Sequence, residues 1–247
     1  MGFVIIPAVD IRGGKAVRLA QGDYNRETVY NADPLAAARR WVDAGASRLH
    51  LVDLDAAKSG DNPNRDIVVR IAREFDIPVE IGGGVRNLDV VRDYLDAGVR
   101  WVIVGTAAVT DPDFVHEAAI TYPDRVILGI DAQDGMVKTA GWTESTKVTA
   151  VDLARSYADV KIAAIIYTDI SRDGVGGGVD LDGTLTMAQK SPFPVIASGG
   201  IHTTGDIDRV ASLFTDGVAG VIVGRALYEG TLTFEAALEQ AERASGG

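Results

Sequence analysis

Two pairs of apolar segments, each ending in glycine, recur along the chain. The later pair is PVIASGGI at 194–201 and VIVGR at 221–225, and an almost identical pair, PVEIGGGV at 78–85 and VIVGT at 102–106, stands earlier. Both members return after nearly the same interval, close to half the length of the chain. Self-similarity at one period indicates a duplicated structural unit. The chain is therefore predicted to consist of two similar halves.

The glycines predict two phosphate-binding groups. Glycine after a parallel strand lets the backbone approach a ligand closely, and the N–H groups of a following helix suit phosphate. The first glycine cup comprises Gly83, Gly84, Gly105 and Thr106, and the second comprises Ser198, Gly199, Gly200, Gly224 and Arg225. The alternative is that these glycines only end strands. If they bind phosphate, a β-branched residue at Gly83 or Gly199 should weaken substrate binding more than folding.

The order of apolar segments predicts an α/β fold. Eight strand-helix units alternate from a first strand at 3–10 to a last helix near 234–244. Eight such units are typical of a closed parallel barrel, which needs about 250 residues. The chain has 247 residues, of which 47% are hydrophobic. Residues 1–247 are therefore predicted to form a single (βα)8 TIM barrel with a half-barrel internal repeat.

Composition excludes several kinds of protein. The chain has no cysteine, so disulfides and a cysteine nucleophile are excluded. Its net charge of −11 argues against a nucleic-acid partner. No apolar stretch approaches the length that spans a membrane, and no leader-like segment stands at the start. We expect a cytoplasmic monomer without a membrane or nucleic-acid partner.

Two carboxylates are the first candidates for chemistry. IPAVD at 6–10 matches ILGID at 127–131, so Asp10 and Asp131 end strands one and five. These strands lie opposite each other in an eight-stranded barrel, which would place both carboxylates between the two cups. Such a pair suits proton transfer if one carboxyl is ionised and the other protonated. It could also bind a divalent cation, but no histidine cluster supports a metal site and none is expected.

A set of motifs resembles a known family over nearly the whole chain. They are IPAVD at 6–10, VRLAQGD at 17–23, HLVDLD at 50–55, GGGVR at 82–86, GW at 141–142, YTDISRDG at 167–174, SGG at 198–200 and VGRAL at 223–227. The set resembles the ProFAR isomerase (HisA) family of histidine biosynthesis. The resemblance implies a barrel that converts a bis-phosphorylated aminoaldose to an aminoketose by an Amadori rearrangement, without cofactor or metal. A small-molecule substrate with two phosphates agrees with the two cups.

The resemblance also implies roles for individual residues. Asp10 would be the base that takes the proton from C2 of the opened sugar. The acid would be Asp131 or Asp173, and the residues leave this choice open. Thr168 would hydrogen-bond near the acid, unless it is an ordinary β-branched strand residue. Trp142 would stack on the imidazole carboxamide of the substrate.

Two basic residues have both a functional and an ordinary interpretation. His50 would hydrogen-bond the substrate, or it is a satisfied histidine inside the barrel. Arg18 would attract the polyanionic substrate, or it is an ordinary surface arginine. His116, on a helix expected to face solvent, and His202 are not expected to be catalytic.

The chain departs from the family in one loop. After Gly174 the family has a threonine, a proline and an asparagine cap, where this chain has VGGGVD at 175–180. The added glycines are expected to make this loop more mobile and to affect closure more than binding.

Three other functions share parts of this pattern. A dual-substrate isomerase would also act on phosphoribosylanthranilate, but the loop before Trp142 lacks the arginine of such enzymes and offers only Lys138. The cyclase of the same pathway has a cysteine in its first strand, where this chain has none. A non-catalytic barrel that binds phosphosugars stays open, because altered loops can abolish turnover and leave binding intact.

Overall fold

A computed structural model describes residues 2–20, 22–173 and 178–244. The strands are β1 Val4–Arg12, β2 Lys15–Ala20, β3 Asp23–Asn31, β4 Leu49–Asp53, β5 Val79–Gly82, β6 Trp101–Val104, β7 Val126–Gln133, β8 Met136–Thr139, β9 Glu144–Thr149, β10 Ala164–Asp169, β11 Val195–Ser198 and β12 Val218–Val223. The helices are α1 Pro34–Asp43, α2 Leu54–Ser59, α3 Arg65–Glu74, α4 Leu88–Asp96, α5 Ala107–Thr110, α6 Pro112–Thr121, α7 Ala150–Arg155, α8 Leu181–Lys190, α9 Thr204–Ala211, α10 Arg225–Glu229 and α11 Phe234–Ala244.

Eight of the strands form a closed parallel barrel. The hydrogen-bonded order is β1, β4, β5, β6, β7, β10, β11, β12 and back to β1, and every neighbouring pair in this ring is parallel. The predicted (βα)8 barrel is thereby confirmed. Because all eight strands run the same way, their carboxyl ends meet at one mouth of the barrel.

The connections after the first and fifth barrel strands are both β-hairpins. Strand β2 pairs antiparallel with β1 and β3, and β8 pairs antiparallel with β7 and β9. The predicted repeat therefore extends to these two additions, which stand half a barrel apart. The connection at 11–30 contains the first hairpin.

Alternating side chains divide the core into two layers. In β1, Ile5 and Val9 face the helices and belong to the large cluster between barrel and helices, while Ile6 and Ala8 point into the barrel. The inner cluster consists of Ile6, Ala8, Ile103, Ile127, Ala164, Ile166, Ile196 and Ile222. Burying one such isoleucine contributes about 1.5–3 kcal/mol. The strands are therefore held with one fixed set of side chains facing inward.

Helix caps hold the connections at the mouth. Asp33 accepts a hydrogen bond from the N–H of Leu35, and Pro34 is the first residue of α1, where a proline is well tolerated. Asp53, fully buried at the end of β4, caps α2 through the N–H of Ala56. Helices α2, α5 and α10 have four to six residues each and follow closely after strand ends. They are too short to be predicted from a helical repeat of hydrophobic residues in the sequence. Within the described residues, no helix has both the length and the apolar character needed to cross a bilayer.

Candidate active site

The inward face of the barrel strands continues into the candidate site. Side chains two residues apart in a strand share a face, so Asp10 follows Ile6 and Ala8 on the inner side of β1. By the same alternation, Asp131 follows Ile127, and Thr168 follows Ile166. The strand faces that pack the barrel interior with apolar side chains therefore carry polar side chains at the mouth of the barrel.

A cavity of about 960 Å³ opens at the carboxyl ends of the strands. It is lined by all of the site residues proposed from the sequence. These are Asp10, Arg18, His50, Gly83, Gly84, Gly105, Thr106, Asp131, Trp142, Thr168, Asp173, Ser198, Gly199, Gly200, Gly224 and Arg225. The volume fits a ligand of the size that enzyme pockets usually enclose.

Arg18 joins two of the three candidate carboxylates. Its Nη1 donates to Asp10 at 3.0 Å, and its Nη2 donates to Asp173 at 3.0 Å. Burial by itself would lower the pKa of Arg18, but Asp173 and Asp10 raise it well above its usual value. The guanidinium therefore stays charged between the two carboxylates. Arg18 is not the ordinary surface arginine that the sequence also allowed, because it reaches from β2 into the cavity.

Asp131 has a different environment. Its Oδ2 accepts a hydrogen bond from the indole N–H of Trp142 at 2.9 Å, and Thr168 also hydrogen-bonds its carboxylate. Burial raises the pKa of Asp131, and the negative charge of Asp173 adds to the rise, although both hydrogen bonds and His50 oppose it. Asp131 is therefore the candidate carboxyl that retains a proton more readily than an exposed aspartate does.

Trp142 is held in an uncommon backbone conformation. Its φ is +73°, which non-glycine residues seldom adopt, and it follows Gly141 in the connection between β8 and β9. Its ring packs against Gly22, where a Cβ would lie only 2.9 Å from Cε3 of the indole. The tryptophan thereby links the two hairpins over the cavity. This position allows the predicted stacking on a ligand, which stays a prediction.

His50 lies deeper, on the inner face of β4. It lines the cavity, and its Nδ1 is 2.6 Å from Oε1 of Glu80 on the neighbouring strand β5. The interpretation as a satisfied histidine inside the barrel therefore applies, and its place in the cavity lining allows the predicted hydrogen bond to the substrate, which stays a prediction.

The two glycine cups lie at different strand ends of the same cavity. The first follows β5 and β6, and the second follows β11 and β12. The hydroxyl of Thr106 accepts a hydrogen bond from the N–H of Ala140, which ties the first cup to the connection after β8. In the second cup, Arg225 pairs with Glu229 at 2.7 Å within α10.

The structure contradicts the expected effect of replacing Gly83. Its φ is +96°, and a Cβ there would overlap the backbone oxygen of Asp53. A substitution at Gly83 would therefore disturb the fold as much as any ligand. At Gly199 the φ is +85° and a Cβ would lie 3.0 Å from the backbone oxygen of Asp169, so the same objection applies. Gly105 is different, because the one atom of the described residues that its Cβ would meet is the oxygen of Gly129, at 3.7 Å.

Several cavity residues were not singled out from the sequence. Tyr24 and Lys58 line the cavity and contact each other, with Nζ of Lys58 5.3 Å from the ring centroid. Arg86 also lines it and donates to the backbone oxygen of Ala57. The position of Arg86 directly after the GGGV of the first cup was a signal that could have identified it, whereas Tyr24 and Lys58 carried none.

Other expectations need correction. Asp180 caps α8 by accepting a hydrogen bond from the N–H of Gly183 at 3.1 Å, so this aspartate fills the role of the asparagine cap of the family. His116 does not simply face solvent but stacks on Tyr157 with ring centroids 4.7 Å apart. Residues 174–177 lie outside the described residues, and the expectation of a mobile loop falls largely on them.

Lys138 does not reach the cavity. Its Nζ donates to the hydroxyl of Ser145 at 2.7 Å on the neighbouring strand of the hairpin, and it is absent from the cavity lining. The extra cation that a second, carboxylate-bearing substrate would need is therefore not supplied by this lysine.

Comparison with known proteins identifies relatives along nearly the full length. A family model described as histidine biosynthesis protein matches residues 4–233. A relative from Syntrophus aciditrophicus, named 1-(5-phosphoribosyl)-5-((5-phosphoribosylamino)methylideneamino) imidazole-4-carboxamide isomerase, is 51% identical over 240 residues, covering 97% of this chain and 99% of the relative. Relatives of the same name from Hahella chejuensis and Polaromonas naphthalenivorans are 52% and 47% identical, covering 93% and 99% of this chain and 95% and 100% of their own lengths.

Proposed function

The chain belongs to the histidine biosynthesis protein family, and from that membership we propose that it is an aldose-ketose isomerase acting on ProFAR. ProFAR, phosphoribosylformimino-5-aminoimidazole carboxamide ribotide, is the bis-phosphorylated aminoaldose in the name of the relatives. Its product is the corresponding aminoketose. Fold-level likeness alone does not establish a reaction, so the proposal depends on the site.

One observation carries the proposal. Asp10 and Asp173 contact the same guanidinium group of Arg18, in a cavity with a glycine cup on each side. Two carboxyl groups this close can reach neighbouring atoms of a single sugar ring. A substrate with a phosphate at each end can bind both cups and hold that ring between them.

The proposed reaction requires an acid and a base on the same sugar. The acid protonates the ring oxygen as its bond to C1 breaks, and the nitrogen lone pair forms the C1=N bond. The base, Asp10, then takes the proton from C2 to give an enolamine. Addition of a proton at C1 and loss of the hydroxyl proton from O2 yield the aminoketose.

We propose Asp173 as the acid. A general acid must first lie within hydrogen-bonding reach of the ring oxygen, because its proton has to be transferred there; its pKa is a second criterion. That oxygen and C2 belong to one ring, and Asp173 shares Arg18 with the base Asp10. An incoming anionic substrate offers Arg18 another partner, which frees Asp173 to approach the ring oxygen. Asp131, which retains a proton more readily, is the alternative acid.

Steady-state kinetics with ProFAR test the function. We expect conversion to the aminoketose by the parent, with no turnover of phosphoribosylanthranilate. Asp173→Asn should lower kcat by about 100-fold or more, the range of general acid catalysis, and Asp131→Asn should lower it less. The reverse order would make Asp131 the acid. Binding of ProFAR without conversion by the parent would leave only a phosphosugar-binding barrel.

We also propose that the functional unit is a monomer. All proposed site residues line a cavity formed within one chain. Turnover per chain should therefore not change with protein concentration, and light scattering during the assay should give the mass of one chain. Activity that is lost on dilution would contradict this.

A further inference from the structure

Glu80 is a buried carboxylate inside the barrel that the proposed reaction does not use. Its side chain is 0% exposed, on the inner face of β5, where it lies in register with His50 of β4. A carboxylate is costly to bury unless charged or hydrogen-bonding partners surround it. The identity of those partners therefore indicates what this carboxylate does.

Two basic side chains meet the two oxygens of Glu80. Arg48 donates to Oε2 through Nε at 2.6 Å and also through Nη2, and its guanidinium stacks on Trp101 at 4.0 Å from the ring centroid. Nδ1 of His50 lies 2.6 Å from the other oxygen, Oε1. Burial by itself would raise the pKa of Glu80, but Arg48 and His50 together lower it. Glu80 is therefore an ionised carboxylate with each oxygen assigned to one partner.

The ionised carboxylate determines which nitrogen of His50 carries the proton. A carboxylate can only accept hydrogen bonds, so Nδ1 must be the donor. In a neutral imidazole a proton on Nδ1 leaves Nε2 unprotonated. Among the described residues none hydrogen-bonds Nε2, and His50 lines the cavity. The nitrogen left for a ligand is thus a hydrogen-bond acceptor.

We propose that Glu80, held by Arg48, is a positioning residue that keeps the Nδ1 proton of His50 directed towards itself, so that Nε2 of the neutral form of the imidazole is an acceptor for an O–H or N–H group of the bound aminosugar. Second-layer hydrogen bonds commonly fix a histidine tautomer in this way at functional sites. The tautomer follows from the contacts alone, whereas the identity of the ligand rests on the proposed function.

Glu80→Gln tests the predicted tautomer of His50, because Arg48 can only donate hydrogen bonds and therefore determines how the introduced amide is oriented. The guanidinium has five N–H donors and no acceptor, so it should bind the amide oxygen of the introduced glutamine. The amide NH2 group would then face Nδ1 of His50, which must become an acceptor. The proton should move to Nε2, and the cavity would receive a donor in place of an acceptor.

The ¹⁵N shifts of the imidazole rings measure this directly. The chain has three histidines, so His116 and His202 serve as internal references and His50→Gln assigns the third signal. At about pH 9, well above the usual pKa of histidine, we expect the Nδ1–H tautomer in the parent and the Nε2–H tautomer in Glu80→Gln. Glu74→Gln, which removes an arginine-paired carboxylate from the exposed surface of α3, should leave all three signals unchanged.

Kinetics then separate positioning from structural support. We expect Glu80→Gln to raise KM for ProFAR at least tenfold with a smaller change in kcat, and Glu80→Asp, which keeps the charge, to restore most of the affinity. A parent spectrum with the Nε2–H tautomer would overturn the proposal even if no variant folds. So would a Glu80→Gln variant that loses affinity while its tautomer stays the same. A parent that binds no aminosugar but shows the Nδ1–H tautomer would instead refute the proposed function.

Discussion

The three aspartates at the cavity differ in what surrounds each carboxyl group. Asp10 and Asp173 share a charged arginine, whereas the described residues that hydrogen-bond Asp131 are the neutral donors Trp142 and Thr168. Burial without an opposite charge in hydrogen-bonding contact favours the protonated form of a carboxyl group. This environment raises the pKa of Asp131.

The raised pKa of Asp131 predicts a pH-dependent cost to stability. The folded state holds this proton more tightly than the unfolded state does, so the stability of the parent falls as pH rises from the usual aspartate pKa, about 3.9, through the raised folded value. An asparagine at this position would not titrate and could still accept from Trp142. Asp131→Asn should thus melt at a higher temperature than the parent at about pH 8, with the difference shrinking towards about pH 4. A constant difference across thermal melts in this range would contradict the raised pKa.

At the scale of elements, two hairpins meet over the cavity. Gly22, between β2 and β3, packs against the ring of Trp142 from the hairpin after β7. Gly22→Ala should push the indole away from Asp131, because the new Cβ would lie 2.9 Å from Cε3. We expect kcat/KM to fall at least tenfold, together with a change in tryptophan fluorescence.

Gly135→Ala is the matched control for this variant. Gly135 lies in the turn between β7 and β8 with φ +75°, close to the +70° of Gly22, and a Cβ there would meet no atom of the described residues within 4 Å. Both variants carry the same backbone strain, and only one displaces the tryptophan. Equal kinetics for the two would show that the contact between the hairpins has no role in turnover.

The first glycine cup can be tested without disturbing the fold. Gly105→Ala adds a methyl group to an exposed position on the cavity wall, with only one ordinary contact, 3.7 Å to the oxygen of Gly129. If the backbone here approaches a phosphate, KM for ProFAR should rise at least tenfold while the melting temperature stays the same. Gly205→Ala in α9, whose Cβ would have no neighbour closer than 3.7 Å, is the control. An unchanged KM in Gly105→Ala would remove this glycine from the binding site.

At the scale of the whole molecule, the sequence predicted the barrel because its signals are local and repeated. The alternation of Ile6, Ala8 and Asp10 in the sequence indicates which side chains of β1 face the barrel interior and which one lies at its mouth. The duplicated segments give the same indication for the second half of the chain. These periodic patterns determine which residues reach the mouth. They explain why the candidate residues at the ends of barrel strands, among them Asp10, Asp131 and Thr168, line one cavity.

Contacts between distant side chains could not be predicted in this way. Arg18 and Asp173 are 155 positions apart in the sequence. The pattern of apolar residues in the strands does not show where β2 lies relative to the barrel, so it could not predict that the Arg18 side chain reaches Asp173. Glu80 alternates like a core residue of β5, and only the register with β4 pairs it with His50. At Gly83 the sequence led to a functional interpretation of a residue that the fold itself requires. The backbone of Asp53 leaves no room for a Cβ there, whether or not phosphate binds.

The most direct test of this account removes the base and keeps the ligand. Asp10→Asn should lower kcat for ProFAR by at least about a thousandfold, because the variant lacks the positioned carboxylate that takes the proton from C2. Calorimetry on the same variant should give a dissociation constant for ProFAR close to that of the parent, since the glycine cups are untouched. Turnover near that of the parent would show that Asp10 is not the base and that the proposed chemistry is wrong.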